Sequence, residues 1–192
     1  ITNSPVSEFE PSFSPDGKSL VFVTWNDSLT GSICKAGIDG KTKPVSITDK
    51  KGIYRTPSFS PDGKWIIYTK EGSNDITGNA YTIKPGIYIM PATGGKEEFV
   101  TDKGEYPKFN KDGSRICYQA GGNLFGSLDK TFSSCKTDGS DDRIIFKGKY
   151  TSQFTVSPDG EWVAFTDLHE VYIAPFPHTG KEINLTHDSS DF

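Results

Sequence analysis

The stretch that decides the fold reads Phe59-Ser60-Pro61-Asp62-Gly63-Lys64-Trp65-Ile66-Ile67-Tyr68. Pro61 presets the backbone for the first central position of a tight turn, and Gly63 readily adopts the left-handed conformation that closes it. The apolar residues that follow favour an extended strand. Because successive positions of this strand are apolar, we expect both of its faces to be buried. The stretch therefore predicts a hairpin whose second strand lies between packed sheets, with the Trp65 ring wedged between them.

The same turn occurs four times along the chain. The four copies begin at residues 13, 59, 109 and 156, so they are 46, 50 and 47 residues apart. Each copy continues into an apolar strand and then into a second strand–turn–strand pattern, which gives four strands per unit. Periods of this length are typical of β-propeller blades. We assign the recurring acidic residue and glycine to the turns: Asp16, Gly17, Asp62, Gly63, Asp112, Gly113, Asp159 and Gly160.

The sequence thus predicts an all-β fold, a β-propeller with four four-stranded antiparallel blades. No stretch has the apolar periodicity of a helix over three turns. We place the blades at approximately 8–49, 54–102, 105–148 and 151–187, within a single domain or segment that covers residues 1–192. Two alternatives stay open at this point, a complete ring of four blades and a piece of a longer propeller.

Charge and hydropathy exclude two classes of partner. The formal net charge is -4, and the lysines are scattered, whereas phosphate binding needs clustered lysine and arginine. We therefore expect no nucleic acid. No apolar run approaches the roughly 18 residues that a membrane span needs, so we expect no membrane insertion. The start at Ile1, rather than at a methionine, indicates a processed or excised chain.

The three cysteines, Cys34, Cys117 and Cys135, fit neither a disulfide framework nor a zinc set. Buried free thiols are the simplest interpretation. Cys117 and Cys135 fall on strands that should be neighbours in one sheet, so a disulfide between them remains an alternative.

The residue patterns of catalysis and of metal binding are missing from the sequence. The histidines, His169, His178 and His187, do not form a zinc-binding pattern. There is no nucleophile elbow and no phosphate-binding glycine loop. We therefore predict no catalytic residue, no metal and no cofactor within this chain.

The strand that enters each blade offers the best candidates for binding. In a propeller this first strand lines the central axis, and ring-shaped folds often bind ligands at the mouth of the axial channel. The alternative is a wet, unoccupied pore. The residues at the predicted mouth have mixed polarity and are Glu8, Glu10, Arg55, Tyr106 and Gln153.

The four turns, the strands that follow them and the segment Ile87–Ala92 resemble the WD-like repeats of TolB-type propellers. The resemblance covers essentially the whole chain. The third turn departs from the pattern, because Lys111 replaces proline. A weaker likeness joins Trp162–Phe165 and Val171–Phe176 to the last blades before the catalytic domain of amidohydrolase-related enzymes.

The resemblance implies a bacterial periplasmic or secreted protein whose complete ring has six to eight blades. It implies a non-enzymatic scaffold that binds a protein or another ligand. The alternative is the accessory propeller of a secreted or periplasmic hydrolase, amidohydrolase-like or peptidase-like, with catalytic residues outside this chain. The expected partners are accordingly another protein or an attached catalytic domain. Exposed blade edges also predict a homodimer as an alternative.

Overall fold

A computed structural model describes residues 5–28, 30–50, 52–74, 79–80, 84–121, 130–148, 150–167, 169–176 and 183–185. Strands and turns make up these ranges, and none of the described residues lies in a helix. Consequently no described helix is long and apolar enough to cross a membrane.

The strands form four antiparallel sheets of four strands each, plus one small hairpin. Blade 1 contains β1 (Ser7–Phe13), β2 (Ser19–Asn26), β3 (Thr30–Gly37) and β4 (Val45–Ser46). Blade 2 begins with β5 (Ile53–Phe59) and β6 (Trp65–Glu71), is interrupted by the hairpin of β7 (Ser73–Asn74) and β8 (Asn79–Ala80), and ends with β9 (Gly86–Pro91) and β10 (Glu98–Thr101).

Blade 3 contains β11 (Glu105–Phe109), β12 (Arg115–Gly121), β13 (Lys130–Lys136) and β14 (Arg143–Gly148). Blade 4 contains β15 (Thr151–Val156), β16 (Trp162–Asp167), β17 (Glu170–Pro175) and β18 (Ile183–Asn184). The predicted fold, an all-β propeller with four four-stranded antiparallel blades, is confirmed.

The recurring turn connects the first two strands of every blade by the same hydrogen bonds. In blade 2, the Gly63 N–H donates to the Ser60 carbonyl at 2.9 Å, and Asp62 Oδ1 accepts the Lys64 N–H at 3.0 Å. The glycine has a φ of 72°, a left-handed conformation that favours glycine. In blade 3, Lys111 replaces the proline, yet Gly113 keeps a φ of 74°. The turn therefore tolerates the departure.

In the two inner blades, blades 2 and 3, the second strand contributes to both interfaces. In β6, Ile66 and Tyr68 pack in the cluster shared with blade 1, whereas Ile67 packs in the cluster shared with blade 3. All three side chains are fully buried. Because side chains alternate along a strand, a continuous apolar run supplies two faces. Blade 3 repeats the scheme, since Ile116 faces blade 2 and Cys117 faces blade 4.

The first strands lie nearest the axis, where consecutive blades meet. β5 contacts β1 on one side and β11 on the other. The corresponding pair, β11 and β15, has no contact of similar extent among the described residues, and β15 contacts β13 instead. Blade 4 therefore packs on blade 3 differently from the way the first three blades pack on one another.

The prediction that Trp65 is wedged between blades is wrong. Its side chain is 40% exposed, and that of its counterpart Trp162 is 37% exposed. Both tryptophans are the first residue of their strand, directly after the turn. Two-sided burial begins one position later, at Ile66.

A disulfide between Cys117 and Cys135 is excluded by the register of the sheet. Cys117 lies opposite Ser134, and Cys135 lies opposite Ile116, so the two thiols point to opposite faces of blade 3. Cys135 accordingly packs towards blade 2 and Cys117 towards blade 4. None of the three cysteines forms a disulfide bond within the described part of the chain.

In blades 2 and 3, the turn between the third and fourth strands contacts the preceding blade. A Cβ on Gly139 of blade 3 would lie 2.0 Å from the Val100 carbonyl oxygen in blade 2. A Cβ on Gly94 of blade 2 would lie 2.8 Å from the Ile47 carbonyl oxygen, which follows the fourth strand of blade 1. At Gly40 of blade 1 the same position is open, with no described atom within 4 Å. Glycine at this turn thus allows close approach to the preceding blade.

Candidate functional site

A bulge interrupts the first strand of every blade at the same place, beside the axis. Its register shifts fall between Phe9 and Ser12, between Arg55 and Ser58, between Glu105 and Lys108, and between Ser152 and Phe154. A bulge bends its strand and redirects a side chain, and bulges are frequent next to binding sites. The four bulges therefore define one ring of equivalent positions around the axis.

Three bulges hold a non-glycine residue in the left-handed conformation. Glu10, Thr56 and Tyr106 have φ values of 53°, 50° and 54°. The threonine is the most unfavourable case, because branching at Cβ makes a positive φ especially costly. Such conformations persist only where the surrounding structure enforces them, and they cluster at functional sites.

The Glu10 carboxylate connects blade 1 to blade 2 at this level. Its Oε2 accepts the Thr56 backbone N–H at 2.5 Å, and its Oε1 accepts the Arg55 Nε–H at 2.7 Å. Arg55 Nη2 lies 2.6 Å from the same Oε1, so the guanidinium binds the carboxylate through two nitrogens. The hydrogen bond to Glu10 raises the pKa of Arg55 above its ordinary value.

Further carboxylates make the site acidic. Glu71 Oε1 lies 3.2 Å from Arg55 Nη1, on the side away from Glu10. Burial raises the pKa of Glu71, Arg55 lowers it, and the negative charges of Glu105 and Glu10 raise it again. Two carboxylates thus contact one guanidinium while a third, Glu105, acts on Glu71, and the site attracts positive charge.

A small cavity of about 40 Å³ lies among these groups, between blades 2 and 3. Its lining includes Thr56 and Thr69, whose hydroxyl oxygens are buried and have no hydrogen-bond partner. A polar cavity of this size has room for a water molecule. The Tyr106 side chain stands at the edge of the cavity and is 53% exposed.

The structure places the predicted site residues as follows. Glu10 and Arg55 are in direct contact, and Arg55 and Tyr106 line one cavity. Glu8 is half-buried on the same strand as Glu10, opposite Thr24 of β2. Gln153 occupies the bulge of β15, and the structure describes only the backbone of this residue.

Glu71 and Thr69 are the site residues that the sequence prediction missed. Both lie at the end of β6, directly after its buried apolar run. The bulge shifts the hairpin register by one residue and thereby brings Thr69 opposite Arg55. Counting back from the turn without the bulge would place Lys70 opposite Arg55, so the sequence alone did not identify the pair.

The described residues contain no evident catalytic centre. Among them, no group of three or more His, Cys, Asp or Glu side chains could hold a metal ion. Burial raises the pKa of the Cys117 thiol to about 12 and that of Cys135 to about 11, so neither forms a reactive thiolate at neutral pH. His169 is exposed, whereas His178 and His187 lie outside the described residues.

Comparisons with solved structures identify the same fold in several proteins. TolB from Acinetobacter baumannii is 23% identical and superposes with a TM-score of 0.74, over 96% of this chain and 44% of that one. An oligogalacturonate lyase from Vibrio parahaemolyticus is 12% identical, with a TM-score of 0.69, over 96% and 55%. A prolyl endopeptidase is 15% identical, with a TM-score of 0.61, over 93% and 29%.

Identities this low show that the fold is shared. They do not show whether an activity is shared. The chain spans less than half the length of the Acinetobacter TolB. No curated protein matches it. The family model of the TolB beta propeller domain matches residues 1–173. Because this match covers most of the sequence, the chain belongs to the TolB beta propeller domain family.

Proposed function

We propose that this chain is a non-enzymatic scaffold that binds a protein partner at the axial mouth formed by its first-strand bulges. The observation that carries the proposal is the repeated left-handed residue, at Glu10, Thr56 and Tyr106. Each such residue costs roughly 1–3 kcal/mol of backbone strain. Strain kept at equivalent positions of three blades supports a binding role.

The charges and the exposed ring favour a basic polypeptide segment as the partner. Glu10, Glu71 and Glu105 outnumber Arg55, whose guanidinium is already engaged by two carboxylates. An acidic mouth accelerates the approach of a cationic segment. Tyr106 offers a large, half-exposed ring beside it, and tyrosine is enriched where proteins bind one another.

Site-specific cross-linking tests the proposal. A photoreactive phenylalanine analogue in place of Tyr106 should cross-link one protein in intact cells. The same analogue in place of Ile144, an exposed residue of β14, serves as the control and should not. Equal cross-linking from both positions, or none from Tyr106, would contradict a partner at the mouth.

The cross-linked protein then allows a quantitative test. Tyr106→Asn removes the ring but keeps a residue that tolerates the left-handed conformation. We expect it to weaken binding of the purified partner about tenfold or more, which corresponds to about 1.4 kcal/mol or more. Unchanged affinity would remove Tyr106 from the interface.

The proposed location is the bacterial periplasm or the extracellular medium. Membership of the TolB beta propeller domain family supports it. Fractionation of cells that express the full-length protein would test it, and recovery in the cytoplasm would contradict it.

A second candidate is the accessory propeller of a larger hydrolase. The structural likeness to a prolyl endopeptidase, of which this chain matches 29%, favours it. The reading frame that surrounds these residues decides between the candidates, because a catalytic domain in the same polypeptide would support the hydrolase. Self-association through blade edges also stays a prediction, and light scattering at increasing concentration measures it.

A further inference from the structure

A large cleft separates blades 3 and 4 and differs from the axial mouth described above. Its volume is about 760 Å³, within the 300–1,000 Å³ range of pockets that take small molecules. It lies between β11 and β15, where the first strands do not pack closely together. It shares Tyr106 with the mouth.

One position of the first strand differs between the two interfaces. In blade 2 this position is Ser58, which is buried and donates a hydrogen bond from Oγ to the Pro107 carbonyl of blade 3, at 3.3 Å. In blade 3 the equivalent residue is Lys108. A lysine cannot make the same close contact with blade 4, and its side chain lines the cleft instead.

Aromatic side chains form one wall of the cleft. Phe132 of blade 3 and Phe154 of blade 4 stack, with ring centroids 4.9 Å apart and planes at 12°. Phe109 also contributes to the lining. A flat apolar ligand fits against such a wall, because offset stacking is a favourable arrangement of aromatic rings.

The charges that line the cleft are positive. Lys108, Lys111 and Lys130 contribute to the lining, and none of the described lining residues is Asp or Glu. Lys111 interacts with Asp159 nearby, which leaves Lys108 and Lys130 as the principal charges. This is unusual in a chain whose formal net charge is -4. Gln119 and Thr155 add hydrogen-bonding groups.

The surroundings of Lys108 support a cationic group available for a ligand. Its side chain is exposed, yet nearby protein lowers the pKa of its ammonium group, and desolvation is the cause. The exposure and the lowered pKa are compatible, because the amine of Lys108 lies inside an open cleft with protein around it. Binding of an anion would restore the lost solvation of the charged form.

We propose that the cleft between blades 3 and 4 binds a small aromatic carboxylate, whose ring packs against Phe154 and whose carboxylate pairs with Lys108. Lys130 provides a second positive charge. The ligand class follows from the combination of an aromatic wall, lysines and no described acidic lining residue. This site does not depend on the protein partner proposed for the mouth.

Calorimetric titration with a matched pair of probes tests the site. Naphthylacetate has the ring and the charge, and naphthylacetamide has the same shape without the charge. We expect the full chain to bind naphthylacetate about tenfold more tightly than the amide, because the amide cannot form the charge-assisted pair with Lys108. Equal affinities, or no binding of naphthylacetate at millimolar concentration, would overturn the proposal.

Three variants locate the binding. Lys108→Gln should weaken naphthylacetate binding about tenfold and leave the amide unchanged, whereas Phe154→Leu should weaken both. Lys64→Gln is the control, because Lys64 is an exposed lysine in the turn of blade 2, outside the cleft. Undiminished naphthylacetate binding by a folded Lys108→Gln protein would overturn the assignment. Lys130→Gln provides a second, independent loss of charge.

Discussion

The interface between blades 2 and 3 and the interface between blades 3 and 4 are built from the same repeat but packed differently. The first is filled by aliphatic side chains with Tyr118 and Cys135, and its axial cavity is about 40 Å³. The second contains Phe132, Phe146 and Phe165, and it leaves a cleft of about 760 Å³. Ser58 lies in the first interface, and the equivalent residue beside the second interface is Lys108. The comparison associates the replacement of a buried serine by lysine with the looser contact between first strands at the second interface.

The tight interface should lose the most stability when a side chain is truncated. We expect Ile67→Ala to lower the free energy of unfolding by about 4 kcal/mol, since a fully buried residue leaves a cavity. Cys117→Ala, at the equivalent position facing the cleft, should cost about 1 kcal/mol, because less volume is removed. Urea unfolding followed by fluorescence measures both. Equal losses would contradict this ranking of the two positions.

Trp65→Ala gives a further check on the same strand. With 40% of the side chain exposed, we expect a loss of about 1–2 kcal/mol, against the 3–5 kcal/mol that a wedged ring would cost. Thermal unfolding compares this variant with Ile67→Ala. A larger loss of stability at Trp65 than at Ile67 would support the original prediction that the Trp65 ring is wedged between blades.

The next effect concerns the turn that reaches back to the preceding blade. Gly139→Ala should cost about 3 kcal/mol, because the new methyl group meets the Val100 carbonyl and the φ of 81° disfavours alanine. Gly40→Ala is the matched control, with a positive φ but open space, and should cost about 1 kcal/mol. Chemical denaturation distinguishes them. Similar losses would mean that backbone strain alone matters there.

A smaller, pH-dependent effect should appear at the cleft. The folded state lowers the pKa of Lys108, so its charged form is disfavoured on folding at neutral pH. That cost disappears as the pH rises through the folded-state pKa towards the unfolded value of about 10.4. Lys108→Ser should therefore be at least as stable as the parent at pH 7 and should lack this alkaline gain. Melting temperatures between pH 7 and 10 test the slope.

The turns, in contrast to the interfaces, should respond alike in all blades. Hydrogen bonds from a nearby hydroxyl and from the backbone lower the pKa of Asp16, Asp62, Asp112 and Asp159. A depressed folded-state pKa stabilises the fold above the unfolded value of about 3.9, and the stabilisation is lost as the pH falls below it. Asp62→Asn and Asp112→Asn should each flatten the acid limb of the stability profile slightly. A clear difference between them would show that Lys111 alters the third turn.

The repeated fold could be predicted because its signals are local. A proline or its substitute, an acidic residue and a glycine define each turn, and the apolar run after it defines two buried faces. The exposure of Trp65 could not be predicted in this way, since it follows from the position of this residue at the strand end. Periodicity identifies which residues are apolar, and it does not show where a neighbouring blade stops.

The candidate site was predictable only in part. Glu10, Arg55 and Tyr106 were found because the first strand lines the axis of a propeller. The left-handed residue of the bulge varies, because glutamate, threonine and tyrosine occupy it in successive blades, and its one constant neighbour is the proline that follows, at Pro11, Pro57 and Pro107. The cleft was not foreseen, although Lys108 stands where Ser58 stands in the preceding repeat. Comparing repeats position by position would have revealed that substitution.

The close approach at Gly94 and Gly139 gives this part of the array a direction, since blades 2 and 3 each approach the preceding blade through this turn. A unit added by gene duplication would carry this contact with it, so the preceding blade would need no new surface for the turn. Within the turn, the glycine is the residue that the contact requires. The gain or loss of blades over evolutionary time is consequently limited by the need for glycine, whose hydrogen atom takes the place of a methyl group in this turn.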